Sequence, residues 1–174
     1  MPDRRALFSS GEVPEENGAM TPKKLFVFFA TAEAVTWTLL IAALVARAVT
    51  ENPSVAVTIV GGTHGAVFLG YGVTAALVGV NQRWAVGRIV GGIALAVVPY
   101  ATVPFERAAI RRGLVEGSWR TTTTSDPRDA HWFDRLFRWF IARPALLVVT
   151  LFAVVAAIFA VLVSLGPPTE WFNR

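Results

Sequence analysis

Four stretches of this sequence are almost entirely apolar, and each is close to the roughly 20 residues that a helix needs to cross the hydrocarbon core of a bilayer. They cover residues 25–46, 55–80, 86–105 and 144–165. Lipid offers no hydrogen bonds to the backbone, and the stretches lack the alternation of barrel strands, so each is expected to be a helix. The sequence therefore predicts an all-α integral membrane protein with four transmembrane helices in an antiparallel bundle.

The remaining segments are polar and join or flank these helices. Residues 1–24 balance acidic and basic side chains without apolar periodicity, which predicts a disordered tail. A cleaved signal peptide over residues 1–48 is an alternative, but its apolar part starts too late and is too long. Short polar links at 50–54 and 81–84 favour antiparallel neighbours. Residues 113–126 are predicted to be a solvated linker, and residues 144–174 the fourth helix with a short aromatic tail.

The third apolar stretch carries features that disturb a crossing helix. Arg88 lies near its start, and Pro99 and Pro104 lie near its far end. Proline removes a backbone donor and kinks a helix. A continuous crossing over 86–105 is the prediction, and a broken or re-entrant helix, which would invert the topology downstream, is the alternative.

Residues 127–143 have the pattern of an amphipathic helix. Asp126 and Pro127 suit its first positions, and aromatic residues fall on one broad face. Such a helix is expected to lie in the membrane interface, with its rings in the headgroup boundary and its arginines near phosphate. Packing on a protein partner is the alternative. The predicted interface residues are Trp132, Phe133, Arg135, Phe137, Arg138 and Trp139.

Basic residues give conflicting indications of orientation. With four crossings, seven lie on the amino-terminal side and nine on the opposite side, which favours a cytoplasmic linker. The first helix usually dominates, however, and Lys23 and Lys24 directly precede it. We expect a bacterial inner-membrane protein with a cytoplasmic amino terminus.

A buried polar cluster is predicted at membrane depth. Glu33 is the one carboxylate deep inside an apolar stretch, so it should be neutral or paired. At 1.5 Å per residue, Glu33 and His64 lie at similar depths, roughly 12 Å and 15 to 17 Å from the same interface. Arg88 lies roughly 5 Å deep and could extend inward. The cluster either holds the helices together or moves protons or cations.

Glycines at helical spacing predict close helix packing around this cluster. Gly61 and Gly65 form one GxxxG pair, and Gly87 and Gly91 form another. Such pairs let backbones approach closely where lipid gives helices no hydrophobic reason to associate.

Several classes of site are not supported by the residue types present. The chain has no cysteine and only two histidines, and His131 lies on the interfacial helix, so thiolate metal sites and bis-histidine haem are not expected. No serine, histidine and carboxylate form a plausible triad. We expect no catalytic residue, no cofactor and no metal. The basic charge lies near the ends of apolar runs, which favours anionic phospholipid rather than nucleic acid.

These residues also resemble a known family. Glu33 with Trp37, the stretch "GGTHGAVFLGY" at 61–71, Arg83-Trp84 and "PYATVPFE" at 99–106 are similar to small three-helix bacterial membrane proteins grouped as a YdzA-like domain of unknown function, common in actinobacteria. The resemblance covers residues 25–112. It implies an inward amino terminus and brings no activity with it.

The function expected from these features is that of a noncatalytic accessory or scaffold subunit of a larger membrane complex, bound to other membrane-protein subunits. By analogy of size and class alone, the actinobacterial cytochrome bcc-aa3 respiratory supercomplex is one such complex. The alternative is a small transporter or a proton- or cation-conducting protein that uses the Glu33 and His64 pair. Lipid binding through the interfacial helix is a third hypothesis.

Overall fold

The computed structural model describes residues 20–50 and 55–164, and every regular element in those ranges is helical. The predictions for residues 1–19, for 51–54 and for the tail after 164 lie outside the described residues. The chain divides into two compact units, one ending at Ser118 and the other beginning at Trp119. The helices are α1 (Pro22–Thr50), α2 (Val55–Asn81), α3 (Val86–Ala94), α4 (Thr102–Arg111), α5 (Trp132–Ile141) and α6 (Pro144–Ser164), with short 3-10 helices at Leu95–Val97 and Pro127–Ala130.

Two of the helices, α1 and α2, are long and apolar enough to cross a membrane. A third candidate within the described residues is the bent pair of Trp132–Ile141 and Pro144–Val154, if both parts belong to one span. The helical class of the prediction is therefore confirmed, whereas four continuous crossings are not.

Prolines lie in the first turn of three of the six α-helices that the structure describes. Pro22 and Pro144 are the first residues of α1 and α6, and Pro104 lies in the first turn of α4. The first turn of a helix has no intrahelical partner for its amide groups, so proline loses nothing there. Pro104 thus starts a helix rather than interrupting one.

The third predicted crossing, at 86–105, is broken in the middle. The α3 helix and its 3-10 continuation end at Val97, and α4 begins only at Thr102. Val98 is extended, with φ −99° and ψ 121°, as expected for a residue that precedes proline, and Tyr100 has the left-handed φ of 65°. We call residues 95–101 the break.

The chain reverses direction at the break and returns to the end from which it came. The Trp84 indole, directly before α3, donates to the Leu114 carbonyl, just after α4, at 2.8 Å. At the same end, Gln82 donates to the Glu116 carbonyl at 2.8 Å, and the Glu116 carboxylate pairs with Lys23 at the start of α1 at 2.8 Å. Helices α3 and α4 therefore form a helical hairpin, which we call the α3–α4 hairpin.

This hairpin covers only one half of the α1–α2 pair. From Val86 to Val97 the ascending arm is about 18 Å long at 1.5 Å per residue, roughly half of a hydrocarbon core. The buried residues of α1 all lie between Pro22 and Thr36, and those of α2 between His64 and Asn81. Apolar residues in the other half are exposed, including Leu44, Val49 and Ile59.

An aromatic cluster packs the covered half of the first unit. Phe26 lies within 5.8 Å of Tyr71, 5.9 Å of Trp84 and 6.2 Å of Phe105, measured between ring centroids. Aromatic pairs at such distances stabilise by about 0.5 to 1.5 kcal/mol beyond their buried area. These rings belong to α1, α2, the turn after α2, and α4, so the cluster joins these four parts of the first unit.

The predicted linker at 113–126 has a defined structure in both of its parts. Val115 is fully buried, and the carbonyls of Leu114 and Glu116 accept from Trp84 and Gln82 within the first unit. In the second unit, Asp129 accepts two hydrogen bonds from Thr124 at 2.7 Å, from its backbone amide and its hydroxyl. The predicted helix at 127–143 starts with the 3-10 helix, in which Asp126 caps the amide of Arg128 at 2.9 Å.

Candidate functional site

Glu33 is completely buried at the level of the break and accepts two hydrogen bonds. The Trp37 indole, one turn further along α1, donates to Oε1 at 2.5 Å. The Thr102 hydroxyl, at the first residue of α4, donates to Oε2 at 2.7 Å. Each carboxylate oxygen therefore has a donor, as a buried polar group requires, and neither donor is charged.

The same face of α1 also holds the polypeptide at the break. The Trp37 indole is shared between Glu33 and the Ala96 carbonyl, at 3.3 Å from the latter. The hydroxyls of Thr38 and Tyr100 lie 3.3 Å apart. Irregular backbone survives at membrane depth only where protein groups satisfy it. Two consecutive turns of α1 supply such groups, and Thr102 of α4 joins them. We call Glu33, Trp37, Thr38 and Thr102 the break-holding cluster.

His64 is buried beside this cluster but does not bond to the Glu33 carboxylate. Its Nδ1 lies 3.0 Å from the Thr36 hydroxyl, and that hydroxyl donates to the Glu33 backbone carbonyl at 3.0 Å. The Thr36 oxygen therefore accepts a hydrogen bond when Nδ1 of His64 carries the proton. The imidazole also packs on the Trp37 ring, with centroids 4.5 Å apart. Glu33 and His64 are thus close neighbours, and the link between them runs through the Thr36 hydroxyl to the Glu33 backbone carbonyl.

Arg88 does not belong to the cluster that was predicted with Glu33 and His64. Its side chain is exposed on α3, and the donors to Glu33 are Trp37 and Thr102. The prediction took depth along a crossing helix as the deciding quantity. The face of α3 that packs on α2 instead carries Ile89, which lies against Gly79, and Gly92, whose carbonyl accepts from Tyr71. The place beside Glu33 is taken by Thr102 of α4.

Two contributors to the site were missed at the level of sequence. Thr102 carries an ordinary hydroxyl in an apolar stretch, and only the reversal of the chain brings it to Glu33. The Tyr71 hydroxyl donates to the Gly92 carbonyl at 3.2 Å, which fastens α3 near its end. The sequence signal available for Tyr71 was its spacing from His64 and Phe68 along one face of α2.

The predicted packing glycines are not where the helices of this chain approach most closely. A Cβ added at Gly65, Gly87 or Gly91 would meet no atom within 4 Å, and one at Gly61 would only touch Leu40 at 4.0 Å. The close approaches occur at other glycines. A Cβ at Gly79 would lie 2.6 Å from Ile89, one at Gly92 2.7 Å from Phe105, and one at Gly70 would overlap Phe29.

The predicted interface residues on α5 divide into an exposed and a buried group. Trp132, Phe133 and Trp139 are exposed, with 70%, 49% and 45% of their surface accessible, and Arg135 is exposed as well. Phe137 and Arg138 are buried. Arg138 faces Asp129, whose carboxylate lies 3.2 Å from Nη1, and it is therefore not directed towards a lipid phosphate as predicted.

The chemistry available to the cluster is limited by this bonding pattern. The residues that the structure describes contain no group of three or more metal-binding side chains. Both oxygens of the Glu33 carboxylate accept hydrogen bonds from neutral donors, and the Thr36 hydroxyl donates its hydrogen bond to a backbone carbonyl. The arrangement fits a structural role in holding the break.

Comparison with known proteins identifies the first unit. Residues 23–111 match the family described as domain of unknown function (DUF3817). A Streptomyces coelicolor protein named as a membrane protein, SCO5905, is 33% identical over 99 residues, which are 56% of this chain and 12% of that protein. This chain thus spans about one eighth of the length of that relative. No solved structure matches this chain. The resemblance found over residues 25–112 is confirmed, and the chain is a membrane protein that belongs to the DUF3817 family, a family of unknown function.

Proposed function

We propose that the chain is a noncatalytic accessory or scaffold subunit of a larger membrane complex. The observation that carries this proposal is the outward position of the predicted packing glycines. Gly87 and Gly91 are exposed on α3, and within the described chain nothing lies against them. Glycine destabilises the interior of a helix relative to alanine. Two glycines at helical spacing allow another transmembrane helix to approach closely. The helices that would use these surfaces belong to other membrane-protein subunits.

The exposed half of the α1–α2 pair supports the same proposal. Leu44, Val49 and Ile59 have 45%, 77% and 64% of their surface accessible, and they lie beyond the reach of the α3–α4 hairpin. Lipid or neighbouring subunits would cover this half. The buried polar groups of the first unit bond to other groups of the same unit, and much of its apolar surface is exposed. Such a surface suits assembly with other subunits rather than catalysis.

The proposed membrane arrangement follows from the reversal at the break. Helices α1 and α2 cross, the α3–α4 hairpin enters and leaves at the same side, and α6 provides a third crossing. This arrangement replaces the four-crossing bundle. Many basic residues lie at the end of the first unit where the α3–α4 hairpin enters and leaves, whereas the opposite end has Arg47. By the positive-inside rule, the end with many basic residues is cytoplasmic, in a bacterial inner membrane. Its basic residues are Lys23, Lys24, Arg83, Arg88, Arg107, Arg111 and Arg112.

Conduction of protons or cations remains the alternative hypothesis. The burial of both Glu33 and His64 favours it. Their one hydrogen-bonded link runs through Thr36 to a backbone carbonyl, however, and a path across roughly 30 Å would need many more polar groups. We therefore place the accessory role first.

Co-purification tests the proposal. The double variant Gly87→Leu/Gly91→Leu fills the outward glycine face of α3, so we expect it to lose at least tenfold in recovered partner subunits after mild detergent extraction. Val86→Leu, on an exposed position of the same helix, is the matched control and should retain them. Identification of the recovered proteins would also show whether respiratory supercomplex subunits are among the partners.

The accessory role is contradicted if the wild-type chain extracts as a species of its own size with no partner. It is also contradicted if the double variant and the control recover the same partners in equal amounts.

A further inference from the structure

The α5 helix presents an unusually large aromatic face to its surroundings. Trp132 has 70% of its surface exposed, and Phe133, Leu136 and Trp139 have between 45% and 49% exposed. Exposed apolar residues are common singly, but a contiguous patch that contains two tryptophans marks an interaction surface. We call these four residues the aromatic face of α5.

The opposite face of α5 is fixed within the second unit, so the aromatic face has a defined direction. Phe137 is buried, and the guanidinium of Arg120 lies 5.6 Å from its ring centroid. Arg138 donates to the Asp129 backbone carbonyl at 2.7 Å, and Arg120 joins Asp134 at 2.9 Å. These buried contacts prevent α5 from rotating to hide its aromatic face.

Within the described part of the second unit, the acidic groups are already paired. Asp126 forms hydrogen bonds to Arg128, which raise the pKa of that guanidinium. Asp129 and Asp134 both contact Arg120. Two arginines close to the aromatic face, Arg135 and Arg143, are exposed and have no carboxylate partner among the described residues.

These two arginines are positioned beside the rings. Arg135 lines a shallow open groove together with Trp132, Leu136 and Trp139. The Arg143 guanidinium lies 4.6 Å from the centroid of the Trp139 ring. Tryptophan favours the boundary between headgroups and acyl chains, and an arginine beside it at that depth reaches the phosphates.

The geometry of the helix pair agrees with a position in the membrane surface. Trp132–Ile141 and Pro144–Val154 are bent by 106°, with Pro144 at the bend. When the apolar α6 crosses the bilayer, a helix at nearly a right angle to it lies along the surface. A helix in that position has its apolar face in the headgroup boundary.

We propose that α5 binds the headgroup layer of anionic phospholipids, with its aromatic face in the acyl boundary and with Arg135 and Arg143 on lipid phosphates. Anionic lipid is favoured over a protein partner because the positive charge is unpaired and the rings are flanked by guanidinium groups. Phe137 and Arg138 take no part, in contrast to the expectation from sequence. The proposal is independent of the accessory role, since it concerns lipid contacts of the purified chain.

Lipid selectivity of the full-length purified protein tests the proposal. Native mass spectrometry would measure the ratio of bound phosphatidylglycerol to bound phosphatidylcholine. Each basic side chain near an anionic surface contributes about fivefold in binding, so Arg135→Glu/Arg143→Glu should lower this ratio by roughly 20-fold or more. Arg111→Glu/Arg112→Glu, at two exposed positions at the basic end of the first unit, carries the same charge change and is the matched control, which should lower the ratio by a smaller factor. An unchanged ratio, or an equal loss in the control, would overturn the proposal.

A depth measurement separates lipid from other occupants of the aromatic face. Because the chain has no cysteine, a fluorophore on Leu136→Cys reports from this face alone. In phosphatidylglycerol-containing liposomes it should be quenched by lipids that carry a nitroxide near the carbonyl region, and a fluorophore on the exposed Arg112→Cys should be quenched less. Absence of quenching at Leu136, whether through exposure to water or through cover by a second copy, would refute the proposal.

Discussion

Replacement of Glu33 by alanine is expected to lower the free energy of unfolding by about 2 to 3 kcal/mol. The change removes the acceptors for the Trp37 indole and the Thr102 hydroxyl. A hydrogen bond between transmembrane helices contributes about 0.6 kcal/mol on average and about 1.7 at most. Two lost bonds, together with the buried Thr102 hydroxyl left without its acceptor, therefore exceed the cost of most substitutions. Unfolding by SDS in mixed micelles, followed by circular dichroism, measures the difference.

Glu116→Ala is the matched control for this substitution. Glu116 is the same residue type and also has a partner, Lys23, but about half of its side chain is exposed. Exposed ion pairs contribute at most about 1 kcal/mol, so the control should be close to wild type. Glu33→Gln keeps one acceptor oxygen and should fall between the two. Equal stability of Glu33→Ala and Glu116→Ala would contradict the role assigned to Glu33.

Replacement of Gly79 by alanine is expected to destabilise the first unit by about 1 to 3 kcal/mol through overpacking. The added Cβ would lie 2.6 Å from Cγ1 of Ile89 and 3.2 Å from Cε3 of Trp84. Neither atom is at the flexible end of a side chain, and the Trp84 indole is held by Leu114. The start of α3 must therefore move away from α2. The same SDS titration detects the loss.

Gly62→Ala provides the comparison, because a Cβ there would meet nothing within 4 Å. Alanine is favoured over glycine in a helix interior by about 0.5 to 1 kcal/mol, so this variant should be as stable as wild type or slightly more stable. If the Gly79 and Gly62 variants gain stability alike, the close contact between α2 and the α3–α4 hairpin is not as described.

The two long helices were predictable because their apolar length alone defines them. Glu33 was identified for a related reason: a carboxylate inside an apolar helix must be satisfied by the protein, whatever the fold. His64 was predicted near it from depth along two neighbouring antiparallel helices, and the structure places its Nδ1 3.0 Å from the Thr36 hydroxyl rather than at the Glu33 carboxylate.

Hydropathy did not decide between a crossing third helix and the broken or re-entrant alternative. An apolar stretch of 20 residues has the same mean hydropathy whether it crosses or folds back on itself, and Pro99 indicates an interruption without a direction. The error at Arg88 and the omission of Thr102 share this cause, since both depend on which arm of the α3–α4 hairpin faces α1. The glycines illustrate a second limit, because GxxxG spacing defines a surface and leaves open whether its partner is in the same chain.

The reversal also removes the conflict in the distribution of basic residues. With a crossing third helix, basic residues are nearly equal on the two sides. With the α3–α4 hairpin, Arg107, Arg111 and Arg112 move to the side of Lys23 and Lys24, while Arg47 stays at the far end of α1. The charge distribution of the first unit then has the asymmetry that the positive-inside rule describes.

Single-cysteine labelling tests the reversal most directly. Lys24→Cys, Thr50→Cys and Arg112→Cys are exposed positions at the start of α1, at its end and just after α4, in a chain that has no other cysteine. In spheroplasts treated with a membrane-impermeant maleimide, Thr50→Cys should be labelled, whereas Lys24→Cys and Arg112→Cys should both be protected. Inverted vesicles should show the opposite pattern. Labelling of Arg112→Cys together with Thr50→Cys, on the side opposite to Lys24→Cys, would contradict the α3–α4 hairpin and establish a third crossing in its place.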